Sequence, residues 1–92
     1  MNNKSEIANF LSALANERRL QILEKIELGV SNPGELSRSM NLGRSTIEKH
    51  LRVMVSGNVL EKEAGLSSEG QLRIYYKITE RTKTILEQLE KL

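Results

Sequence analysis

The stretch "LSRSMNLGRSTIEKHLRVM", Leu36 to Met54, decides the fold. Apolar residues recur every three or four places on both sides of Asn41-Leu42-Gly43, the period of a helix buried along one face. Two helices therefore meet at a three-residue corner. Asn41 tolerates left-handed backbone and Gly43 takes the capping place before the second helix, expected from Arg44 to about Ser56 and ended by Gly57-Asn58. At about 100° per residue, Ile47, Leu51 and Met54 of that helix point within about 40° of one direction. Ser45, Lys49, Arg52 and Ser56 point the opposite way, with Thr46 and Glu48 on the flanks.

Upstream, Ile7, Phe10, Leu11 and Leu14 stand at offsets 0, 3, 4 and 7 and predict a first helix from about Ser5 to Ala15. Asn16 reads as the N-cap of a second helix, with Leu20, Leu23 and Ile26 inward and Gly29 just past its end. Asn32-Pro33 opens a short third helix whose buried side is Leu36 and Met40. Downstream the period changes to two. "VLEKEA" and "QLRIYYKI" read as strands, the latter alternating Leu72, Ile74, Tyr76 and Ile78 with Arg73, Tyr75 and Lys77, and "GLSSEG" as the hairpin tip between them. Thr79 caps a last helix carrying Ile85, Leu86, Leu89 and Leu92. The expected fold is mainly α with a small β-hairpin, in the order α-α-α-α-β-β-α. That order is a winged helix-turn-helix, filling residues 1–92 as one domain.

Ninety-two residues bury only part of their unfolded surface, so a partner chain is plausible on size alone. The chain has no Cys and a single His50, which removes disulfides, thiolate metal sites and thiol redox sensing. The start "MNNKSEIANF" lacks the apolar core of a signal peptide and no run approaches the ~20 apolar residues of a membrane span, so a cytoplasmic protein is expected, nucleoid-associated if its partner is DNA. A net charge of +2 permits a nucleic-acid partner without demanding one. Its distribution says more. From Arg38 to Asn58 the basic residues Arg38, Arg44, Lys49 and Arg52 stand against Glu48 alone.

Any surface helix has a polar outward face, but this one follows a short helix and a tight corner. In that unit the second helix lies in the major groove, where N-terminal and outward side chains meet base edges and phosphates. Arg and Lys donate to guanine, Ser and Thr pair with several base edges, and Glu accepts from cytosine. Ser45, Glu48, Lys49 and Arg52 suit that work. His50, about 60° from the buried direction, is expected to make a structural hydrogen bond first and a phosphate contact second. On the hairpin, Arg73 with Lys62 and Lys77 reaches toward DNA backbone or minor groove, while Glu61, Glu63 and Glu69 dilute the charge. Phosphate contact and mere solubilisation both stay open there. Tyr76 shares the parity of Ile74 and Ile78 and belongs to the core.

"ALANERRLQILEKI", "STIEKHLRVM", "SGNVLEKE" and "IYYKI", in that order, resemble the arsenic-repressor-like (ArsR) family of winged helix-turn-helix transcription regulators over roughly Leu11 to Ile78. The resemblance implies double-stranded DNA as partner, a homodimer joined through the first and last helices, and recognition by the helix 44–56 with the hairpin 59–78 as wing. Arg44 begins that helix, and Ser45, Thr46, Lys49, His50 and Arg52 match its motif, whereas Glu48 stands where a small polar residue is more usual. Metal-sensing members carry a Cys pair entering the third helix; the matching positions here are Asn32 and Gly34. Others place His and acidic ligands on the last helix, and "TERTKTILEQLEKL" has no His. No metal and no cofactor are expected.

Independently of the resemblance, Ile7, Phe10 and Leu11 with Ile85, Leu86, Leu89 and Leu92 offer more apolar surface than so small a core needs, which also predicts a homodimer. No nucleophile–base pair or phosphate-cradling glycine loop is present, so an enzyme is not expected. The reading is a dimeric, sequence-specific transcriptional regulator, of repressor type. Two alternatives stand beside it: a winged-helix protein-interaction module, which Glu48 and the acidic hairpin favour, and a nonspecific DNA-coating architectural protein.

Overall fold

Side-chain caps set the starts of three of the helices. The computed structural model describes residues 3–92. Helix α1 runs Lys4–Leu14, α2 Glu17–Glu27, α3 Pro33–Met40 and α4 Arg44–Ser56; strands β1 Leu60–Leu66 and β2 Leu72–Ile78 follow, then α5 Glu80–Glu90. Asn16 accepts from the Arg19 N–H at the start of α2, Asn32 from the Gly34 and Glu35 N–H groups at the start of α3, and Thr79 from the Thr82 N–H at the start of α5. Each satisfies backbone donors that a helix start leaves free. At the end of α2, Gly29 takes φ +98° while Val30 N–H donates to Lys25 O and Gly29 N–H to Ile26 O, a paired closure that needs the left-handed residue.

Asn41 forms the corner between α3 and α4 with φ 54° and ψ 46°. Ser37 closes it, its hydroxyl donating to Leu42 O while Leu42 N–H donates back to Ser37 O. At the other end of α4 the left-handed residue is Asn58, at φ 63°, with Val59 N–H donating to Met54 O. Gly57 serves a different purpose. A Cβ there would stand 2.7 Å from the Ala13 Cβ and 2.9 Å from Asn9 O, so its bare backbone lets α1 cross tightly over the end of α4.

The strands form a two-stranded antiparallel hairpin that pairs Leu60 with Ile78 and Leu66 with Leu72. Its inner end joins the body: Thr79 N–H donates to Val59 O, and Tyr76 N–H donates to Ser31 O on the α2–α3 loop. Thr82, fully buried, donates its hydroxyl to the same Val59 carbonyl and anchors α5. The core gathers Ile22 and Leu23 of α2, Leu36 of α3, Ile47, Leu51 and Met54 of α4, and Val59, Leu60, Tyr76 and Ile78 of the hairpin, with Phe10, Ala13 and Leu14 from α1.

Three expectations are corrected. On α2 the stripe facing inward is centred on Ile22 and Leu23, leaving Leu20 exposed beside Leu86 on the rim of a groove between α2 and α5. On β2 only Tyr76 and Ile78 are buried; Leu72 and Ile74 have the predicted parity but lie on the part of the hairpin that stands clear of the body. Ordered strand pairing also continues through Gly65 and Leu66, which shortens the tip to the turn at Ser67–Gln71.

Candidate nucleic-acid interface

Helix α4 is clamped on one side and open on the other. Ile47, Leu51 and Met54 are wholly buried, while Ser45, Thr46, Lys49, Arg52 and Ser56 are exposed. The first turn of α4 carries no acidic residue, so the partial positive charge of its free N–H groups is left for an anion. Arg44 begins that turn and its Nε donates to Glu48 Oε2 at 2.9 Å. Glu48 is therefore held by its own helix, one turn back. The Arg44 guanidinium also leans toward the start of α3, where its Nη1 and that of Arg38 lie 3.5 and 3.7 Å from the place a Gly34 Cβ would take.

His50 sits at the margin of this face, half-buried, and its Nδ1 lies 3.3 Å from Arg19 Nη1. The expected structural hydrogen bond is present, with a partner that no spacing in the sequence suggests. Arg19 also donates from Nε to Ala13 O at 2.6 Å and from Nη2 to Ser12 O at 3.1 Å. One guanidinium thus satisfies two carbonyls at the end of α1, where a cation is favoured, and fastens α1 and α2 to α4. Burial, then the positive charges of Arg19 and Arg18, hold the His50 imidazole below its ordinary pKa. Tyr76 faces the same helix from the hairpin: burial raises its phenol, and Glu48 adds to the effect.

Arg73 is exposed, but on the hairpin face opposite Tyr76, and its Nη2 donates to Gln71 Oε1 at 2.8 Å. It lines a cleft of about 320 Å³ between α3 and the hairpin tip with Asn32, Glu35, Arg38 and Tyr75. The seven residues expected at a dimer interface divide. Leu11, Leu89 and Leu92 are exposed, Ile7, Ile85 and Leu86 are half-buried, and Phe10 is only 3% exposed, with the Arg81 guanidinium 5.2 Å above its ring. Phe10 supports that face from beneath and adds no surface to it. A second apolar site lies where the sequence pattern suggests a turn and an inward strand residue: the cross-strand pair Leu66 and Leu72 at the hairpin tip is 71% and 75% exposed. Among the described residues no three His, Cys, Asp or Glu side chains converge as a metal-ligand set, and no helix is long and apolar enough to cross a membrane.

The geometry matches that of solved winged helix-turn-helix proteins. A homodimeric winged helix-turn-helix DNA-binding domain from Mycobacterium bovis, Mb0332, described as a possible ArsR-family transcriptional regulator, superposes with a TM-score of 0.75 at 26% identity, over 94% of this chain and 76% of that one. HlyU from Vibrio cholerae gives a TM-score of 0.70 at 27% identity, over 98% of this chain and 94% of its own. The transcriptional regulator HlyU from Vibrio vulnificus gives 0.64 at 26% identity, over 97% and 88%. No curated protein matches the sequence closely enough to add to this. The sequence profile of the bacterial regulatory proteins of the arsR family matches residues 16–62, just over half of the chain. With that match and this fold, the chain belongs to the arsR family of DNA-binding transcription regulators.

Proposed function

We propose that the protein is a homodimeric, sequence-specific transcriptional repressor of the cytoplasm, acting at the nucleoid on double-stranded DNA without a metal or cofactor. Helix α4 enters the major groove, with Ser45, Thr46, Lys49 and Arg52 toward base edges and Arg44 and His50 toward the backbone; Glu48 accepts from a base once Arg44 turns to a phosphate. The hairpin is the wing and Arg73 its backbone contact. The observation that carries this reading is the division of α4, with Ile47, Leu51 and Met54 wholly buried and Ser45, Lys49, Arg52 and Ser56 open. Dimerisation through α1 and α5 rests on the exposure of Leu11, Leu89 and Leu92 and gives two recognition helices for two half-sites.

Selection of bound fragments from random duplex DNA tests the reading. The expected result is an enriched palindrome, with half-sites about one helical turn apart. If each subunit neutralises about three phosphates, log affinity falls with log salt at a slope of about −5. Uniform retention of all fragments would favour the DNA-coating alternative. No retention would favour a protein-docking module, for which the exposed Leu66 and Leu72 pair is the observation in favour.

A further inference from the structure

Arginine has five N–H donors and no acceptor. Its contact with His50 Nδ1 is therefore a hydrogen bond only if that nitrogen is unprotonated, which places the ring proton on Nε2. The guanidinium is not free to leave this position, because its other two nitrogens are bound to the Ala13 and Ser12 carbonyls. Among the described residues Nε2 has no partner, and no buried side-chain nitrogen or oxygen lacks one, so Nε2 reaches solvent. The result is a fixed, solvent-accessible N–H donor at the margin of the open face of α4.

We propose that Arg19 is a positioning residue for DNA binding: by donating to His50 Nδ1 it fixes the neutral Nε2–H tautomer and presents that N–H to a phosphate oxygen of the bound duplex. The inference rests on the regulator reading and adds Arg19, which touches no DNA itself. It also links the end of α1, an element of the dimer face, to the recognition helix through one side chain. Acid reverses the arrangement. A protonated ring turns Nδ1–H toward the guanidinium, so the bond is lost and two cations face each other. The charges acting on the ring are Arg19 and Arg18 of α2. From α1 the network takes only backbone carbonyls, and one turn away on α4 stand Thr46, Ile47, Val53 and Met54, none of which titrates.

The test combines nitrogen-resolved NMR of the His50 ring with binding to a duplex recovered by selection. In the free protein at pH 7 the ring is expected neutral and protonated on Nε2, and that proton should become protected from exchange on DNA binding. His50→Gln keeps a donor near the Nε2 position and should bind within about threefold of the parent, whereas His50→Leu should lose about tenfold, the scale of a hydrogen bond to a charged group. Replacing one backbone phosphate by a methylphosphonate should weaken the parent and leave His50→Leu unchanged. Arg19→Gln should lose about tenfold in the parent and much less in the His50→Gln background, where no tautomer has to be set; Arg19→Lys, which keeps the charge without the fork, should fall between. Failure of the parent protein to retain any duplex would overturn the regulator reading, and this inference with it. Retention with the ring protonated on Nδ1, or with an Arg19→Gln loss that is the same in both backgrounds, would overturn the inference alone. The tautomer is measured on the unmodified protein, so the test stays decisive even where the Arg19 variants are unstable.

Discussion

Arg44 Nε donates to Glu48 Oε2 at 2.9 Å, an ion pair one turn apart along the outward side of α4. Both side chains are substantially exposed, so the pair contributes only about 0.3–0.5 kcal/mol to the helix. Its larger effect is on charge. It neutralises the one arginine at the N-terminal end of α4, where a phosphate would otherwise be drawn by the guanidinium and the helix end together. Glu48→Gln should therefore raise affinity for random duplex about two- to fivefold and steepen the salt dependence by roughly one phosphate, while blurring the preferred sequence. Fluorescence anisotropy across a salt series measures both; an unchanged slope on random duplex would mean that Glu48 does not hold Arg44 back from phosphate.

The caps are legible in the sequence because each is a local agreement between one side chain and its own backbone, as at Asn16, Asn32, Asn41 and Thr79. The open face of α4 is legible for a similar reason, since the period alone separates Ile47 and Leu51 from Lys49 and Arg52. What periodicity does not encode is which of two adjacent stripes meets a neighbour, so the spacing points Leu20 inward where the fold buries Ile22. Strand parity likewise gives the side of Leu72 and Ile74 but not how far the hairpin runs past the core. Arg19 and His50 lie 31 positions apart, and no local pattern joins them. Phe10 has the spacing of its exposed neighbour Leu11, and only the assembled core assigns it to the interior.

Gly57 marks a tight crossing of α1 over α4. With a Cβ position 2.7 Å from that of Ala13, Gly57→Ala forces α1 away from α4 even though its φ of −89° suits any residue. The gain in helix propensity is smaller than the overpacking cost, and a net loss of about 1–3 kcal/mol is expected in denaturant unfolding. Gly70→Ala loses stability for another reason, its φ of +80°, with open space around it.

Dimerisation through α1 and α5 makes a prediction about mass. Leu89 is 52% exposed on one chain, so Leu89→Glu should leave the fold and melting of a protomer intact while converting a dimer to a monomer at micromolar concentration. Sedimentation separates the two states. A parent protein that is already monomeric would remove the two-half-site scheme.

Stability should depend on His50. Its pKa is below the ordinary value of 6.5 when folded and returns to it on unfolding, so the unfolded chain binds the extra proton between the two. The contribution is complete above about pH 6.5 and is lost as pH falls through the folded pKa, below which it stays lost. Thermal midpoints measured from pH 7.5 downward should decline across that window in the parent and decline less in His50→Gln. Identical curves would mean that folding does not lower the pKa of the ring.

The division between reading and holding DNA rests on two lysine and arginine positions in different places. Lys49 stands at the centre of the open α4 face, with no ion-pair partner among the described residues, so nothing within the chain competes for its ammonium group. Arg73 lies on the wing across the cleft from Arg38 and already donates to Gln71. Losing a base contact costs about 1–3 kcal/mol and relaxes the preference at one position, whereas losing a phosphate contact weakens all sequences alike. Lys49→Ala should therefore lower binding to a selected site more than to random duplex. Arg73→Ala should lower both by the same factor, a small one because the Gln71 bond must first be given up. If Lys49→Ala is silent on both duplexes in a protein that still folds and dimerises, α4 does not read bases, and the exposed Leu66 and Leu72 tip becomes the surface to follow.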